Sequence, residues 1–229
     1  MQQRRLPPEY SGWQNHEAAF RRLSTPELVQ EVQDGSPERR LAALSVIDLA
    51  EVSLPTIEDW IRTLPDAEAN ELAGAIPVQR PHSNCEEDVR WVDVARMGYE
   101  ARRLPTFLVM LFSSLEALDT RGCEEAPQEW ERIGDWLGHI YDRVTEADDD
   151  QARDDISLFV LENYLGQIPI FESFCGMIVR HEHLAREVSV NPALYLSGLD
   201  EAQQRLALEE AAANGGLPLK QSWLTLLAG

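Results

Sequence analysis

Apolar residues recur at three- and four-residue intervals along nearly the whole chain, and no stretch alternates apolar with polar positions over the length of a strand. The pattern predicts an all-α protein. Proline and glycine mark its boundaries. Ser24-Thr25-Pro26-Glu27 has the cap-then-proline chemistry of a helix start, and Asp34-Gly35 stops that helix. Ser36-Pro37-Glu38 opens the next, in which Leu41, Leu44, Val46 and Ile47 fall toward one side and Glu38, Arg39 and Asp48 toward the other. Pro55 is expected to end or kink the following connection, with a short helix over residues 56–64 turning Ile57, Trp60, Ile61 and Leu64 inward.

Residues 75–84 hold Pro77, Pro81, His82 and Ser83 and read as a linker. A joint near residues 77–84 would divide an N-terminal helical subdomain, 1–80, from an acidic C-terminal one, 84–229, unless the two form one continuous domain. Beyond it the pattern predicts helices over 86–103, 105–118, 127–147, 151–165 and 171–187, a connection at Pro192, and helices over 200–214 and 218–227. The 105–118 helix lacks a polar face and should be central. Gly134 and Gly138, one turn apart, mark a place where a neighbouring backbone comes close. The sum is an irregular stack of about nine or ten helices, a superhelix or a bundle.

Two segments resemble known families. LVQEVQDGSPERRLAALSVIDLA, residues 28–50, is similar to a HEAT-type helical hairpin: an apolar first helix, an Asp-Gly turn, an arginine near the start of the second helix and an Ala-Ala-Leu packing run. No second copy recurs at the expected period of about 40 to 47 residues. GDWLGHIYDRVTEADDDQARDDISLFVLENYL, residues 134–165, resembles small helical immunity proteins of bacterial polymorphic toxin systems, in which an apolar Phe- and Leu-containing helix follows an acidic turn. That resemblance implies an inhibitor that binds a toxin domain and catalyses nothing.

Charge sharpens the choice of partner. The 229 residues carry 40 acidic and 20 basic side chains, a formal charge of -20. Half of it lies between Glu116 and Ile156, where 14 acids face four arginines. Nucleic-acid binding through a basic face is excluded on this balance, since phosphate neutralisation needs clustered Lys and Arg. A basic protein partner fits the field, and an acidic surface that merely keeps the protein in solution fits it as well. All basic residues but Lys220 are arginine, which suits fixed ion pairs with the abundant carboxylates. No stretch is long and apolar enough to span a bilayer, and no apolar run follows Arg4 and Arg5, so cytoplasm is the expected location. Cys85, Cys123 and Cys175 are widely spaced, so neither a disulfide framework nor a zinc knuckle is expected.

The densest cluster is Asp148, Asp149, Asp150, Asp154 and Asp155. It is open to three uses: chelating a cation, docking basic side chains, or ending one helix and capping the next. A calcium loop of EF-hand type would need a central glycine that the run lacks. His181-Glu182-His183 has the wrong spacing for a metal pair, because residues two apart on one helix point roughly 200° apart. Glu162, in a mostly apolar helix, is a candidate buried carboxylate. No nucleophile elbow, Walker loop or dinucleotide fingerprint occurs.

The leading expectation is therefore a non-enzymatic protein without cofactor or metal that binds and neutralises a basic partner, most specifically as a toxin immunity protein. Its docking residues would be Glu131, Asp135, Asp142, Glu146, Asp148, Asp149 and Asp150, facing water, with Trp136 at the border of the apolar and acidic faces as an aromatic anchor and Tyr141 at a similar border. The alternatives are a HEAT-like scaffold, with a surface around Arg39, Arg40 and Trp60, and a metal-dependent hydrolase built on Asp148 to Asp155 with His139 or His181.

Overall fold

The computed structural model describes residues 8–79 and 84–215. Among the described residues every regular element is helical and none is a strand. The chain divides into two compact units, Met1–Cys123 and Glu124–Gly229. No helix among the described residues is long and apolar enough to cross a membrane.

The first unit opens with a 3₁₀ turn (Pro8–Tyr10) and α1 (Gln14–Phe20), followed by α2 (Thr25–Asp34) and α3 (Pro37–Leu44). Ser24 caps α2 as its sequence suggests: its backbone N–H and its hydroxyl both donate to Glu27, at 2.8 and 2.6 Å. A second 3₁₀ turn (Leu49–Glu51) leads into α4 (Leu54–Thr63) and α5 (Asp66–Gln79). Pro55 begins a helix where it was expected to break a connection. It is the second residue of α4, where its missing N–H had no partner to lose. Residues 80–83, on which the expected joint falls, lie outside the described residues, and Pro77 sits inside α5.

The α2–α3 hairpin packs Ala42, Ala43 and Leu44 into the core, and Arg39 spans it to Glu31 while lying 5.1 Å over the Phe20 ring. Arg40 turns the other way. Its Nε donates to Oε1 of Glu68 at 2.9 Å, and Tyr10 donates its hydroxyl to Oε2 at 2.5 Å. Glu68 is wholly buried, so these two donors tie the N-terminal turn, α3 and α5 to one carboxylate. Burial and that carboxylate hold the Tyr10 hydroxyl protonated well above its ordinary range. With Arg39 and Arg40 engaged in this way and Trp60 buried, they do not form the exposed surface considered for a scaffold.

Two helices of nearly equal length complete the unit: α6 (Cys85–Arg102, 18 residues) and α7 (Pro105–Arg121, 17 residues). Arg103, in the left-handed region with φ 55°, reverses the chain between them. At about 1.5 Å per residue both run roughly 26 Å, so an antiparallel pair of this kind returns the chain to where it began. Cys85 and Cys123 thus meet with Cα atoms 5.9 Å apart and form a disulfide. This corrects the expectation from spacing: 38 positions separate the cysteines in sequence, but the hairpin closes that distance. The Arg121 Nε lies 2.9 Å from Asp88 and adds an ion pair between the same two helices.

The second unit holds α8 (Ala126–Glu146), α9 (Asp150–Asp155), a π-helical turn (Ile156–Leu161), α10 (Glu162–Tyr164), α11 (Ile168–Arg180), α12 (Glu182–Val190), α13 (Pro192–Leu196) and α14 (Glu201–Gly215). The helix expected over 218–227 lies outside the described residues. α8 packs along α11, and Gly134 is the point of closest approach: a Cβ there would stand 2.6 Å from the carbonyl oxygen of Pro169. The single helix expected over 171–187 is two. It breaks at His181, whose extended backbone (φ -121°, ψ 99°) ends α11 and starts α12 with no proline or glycine to announce the turn.

Candidate functional site

α8 is amphipathic, with Trp130, Ile133, Leu137, Ile140 and Val144 buried and Glu131, Asp135, His139 and Glu146 exposed. Its acidic face continues into the turn before α9, and there each aspartate has its own structural task. The Asp148 N–H donates to Thr145 and the Asp149 N–H to Val144, at 3.2 and 2.9 Å, a Schellman ending with Asp148 in the left-handed position at φ 53°. Asp149 caps α9 by accepting from the Ala152 N–H at 3.1 Å, and Asp150 pairs with Arg153. The cluster is thus largely explained by ending one helix and starting another. Three candidate ligand atoms do not come within 4.8 Å of one another among Asp148 to Asp155, His139 and His181.

Glycine accommodates the left-handed backbone that Asp148 adopts at less steric cost than any residue with a Cβ. Asp148→Gly should therefore raise stability by roughly 0.5–1 kcal/mol, measured as an upward shift of the urea midpoint at unchanged slope.

Two of the expected docking residues are placed otherwise than expected. Asp142 is half-buried and engaged: its Oδ1 takes a hydrogen bond from His181 Nε2 at 2.7 Å and one from Arg180 Nε at 3.1 Å. Burial would raise its pKa, but the hydrogen bonds from His181 and then Arg180 outweigh that and hold the carboxyl below its ordinary range. Trp136 is buried, 7% exposed, because α8 presents a wider apolar face to its neighbours than a single stripe. Its area serves packing in this chain. Glu162 is exposed, not buried.

The contacts missed by sequence reasoning lie beside Asp142, among Tyr141, His181 and His183. Tyr141, 1% exposed, has its hydroxyl 3.0 Å from His183 Nε2, with the two rings stacked at 6.0 Å and 11°. His181 meets the Tyr141 ring edge-on at 5.2 Å. The two histidines sit on one side of α8 because His181 is outside both helices, so the 200° rule for residues two apart does not apply to it. Burial pushes the Tyr141 hydroxyl up to about 12 and, with Arg153 second, holds His183 below its ordinary range. The Tyr141 hydroxyl and the His183 ring nitrogen share a hydrogen bond. The arrangement clamps α8 to the α11–α12 bend.

Of the expected surface, Glu131, Asp135, Glu146, Asp148 and Asp150 are the exposed carboxylates, Asp150 being paired with Arg153. Comparisons with protein-family models, curated protein sequences and solved structures give no match to this chain.

Proposed function

We propose that this protein is a non-enzymatic binding protein whose second unit docks a basic protein partner through the outer face of α8 and the turn that follows. The observation that supports this most is the charge: -10 within residues 116–156, with Glu131, Asp135 and Glu146 on the exposed side of a helix whose other side is fixed in the core, and Asp148 exposed in the turn after it. Carboxylates held on a packed helix present a standing field, and such a field speeds the encounter with a cationic surface without any rearrangement. The toxin-immunity role is the specific form of this reading and rests on the resemblance of residues 134–165. It predicts a toxin-like reading frame beside this one and rescue of growth when both are expressed together.

The test begins with a partner captured from the source cells. Glu131, Asp135 and Glu146 changed together to lysine should slow association by roughly tenfold or more at low salt and flatten its salt dependence, at unchanged helical content. Unchanged association rates would show the face to be a solubilising surface. Asp142 is left out of the set because it holds His181 and Arg180, and its loss would disturb the fold as well as the charge.

A further inference from the structure

We propose that the Cys85–Cys123 disulfide is a thiol-reducible bond that selects its reductant by charge, favouring cationic and neutral thiols over anionic ones. Two observations carry this. The first is access. Cys85 is half-buried at the first position of α6, whereas Cys123 is buried, 7% exposed. A thiolate arriving from solvent meets the more exposed Cys85 first, which makes Cys123 the leaving group. The second is the acidic surround. Glu86 adjoins Cys85 in sequence, Glu124 and Glu125 follow Cys123, and all three are exposed. Among the described residues the cation nearest in sequence to the bond, Arg121, is engaged with Asp88.

A thiolate attacks Sγ of Cys85, the S–S bond breaks, and Cys123 leaves as a thiolate that takes up a proton. A second thiolate attacks the reductant's sulfur in the mixed disulfide, and Cys85 leaves in turn. Two thiols are oxidised to a disulfide and the cysteine pair gains two electrons and two protons. The thiolate released from Cys85 lies at a helix start, where the dipole favours it. Opening the bond frees residue 123, the last of the first unit, from α6, while the Asp88–Arg121 pair and the α6–α7 packing remain.

The experiment follows release of two thiols from the oxidised full chain by cysteamine and by mercaptoacetate, each rate divided by that for a small neutral disulfide under the same conditions. The normalised ratio should favour cysteamine roughly tenfold at low salt and fall toward one at high salt, with the helical signal retained throughout. Glu86→Gln, Glu124→Gln and Glu125→Gln combined should remove the preference. Cys175 is half-buried with its thiol pushed up to about 11 by burial, and it provides a thiol that stays free in both states. The proposal is overturned if both Cys85 and Cys123 alkylate in the air-oxidised protein, if the normalised ratio is one at every salt concentration, or if thiols are released only as the helical signal is lost.

Discussion

Arg40→Met should destabilise the first unit by about 3–5 kcal/mol, the cost of leaving a buried carboxylate without its cation. Glu68 is fully buried, and its two oxygens are served by Arg40 and Tyr10 alone among the contacts described above. Methionine fills much of the stem volume of arginine but donates nothing, so the negative charge remains in the core with only the Tyr10 hydroxyl against it. Arg40→Met combined with Glu68→Gln should recover most of the stability, since a neutral amide still accepts from Tyr10. Urea titrations of the two single variants and the double variant read this directly. A double variant no more stable than Arg40→Met would show that Arg40 acts by packing and not by charge.

Gly134→Ala should cost the second unit about 3 kcal/mol. The added methyl would stand 2.6 Å from the Pro169 carbonyl oxygen and 2.9 Å from its carbon. These are backbone atoms at the start of α11, so no side-chain rotation relieves the contact and the two helices must separate. Separation loosens the buried Ile133, Leu137 and Phe174 near the same seam. Gly138→Ala is the internal control: there the nearest atom is the Ser173 hydroxyl at 3.1 Å, which can turn aside, and the loss should be much smaller. Thermal unfolding of both variants, with equal losses for the two, would remove the close approach as the reason for the glycine.

These two positions differ in how visible they were. The Gly134 and Gly138 spacing on an amphipathic helix is a local signal, as are Ser24 to Glu27 and Ser36-Pro37, and in each case the chemistry that sets the structure lies within a few residues. Glu68 gave no such signal. Its neighbours Asp66 to Asn70 look like any polar helix start, and only the arrival of Arg40 and Tyr10 from elsewhere in the chain makes the site. The bend at His181 was equally hidden, since Val179-Arg180-His181-Glu182 contains no residue that breaks helices by itself. Asp142 supplies the acceptor for both Arg180 and His181, and it lies 38 positions before the first of them. The Asp148 to Asp150 run was legible as a turn, but the division of labour among its three members follows from the geometry of the two helices it joins.

The disulfide also determines how the chain would carry a mechanical load. Tension applied along the backbone crosses from Cys85 to Cys123 through a covalent bridge whose Cα atoms stand 5.9 Å apart, and bypasses the 38-position stretch between them. Helices α6 and α7 then bear none of the force and cannot be drawn out. Once the bridge is open the same stretch enters the load path, and at about 3.4 Å per extended residue it adds roughly 130 Å of slack. One bond at the foot of a helical hairpin thus decides whether that length of chain is available to extension at all.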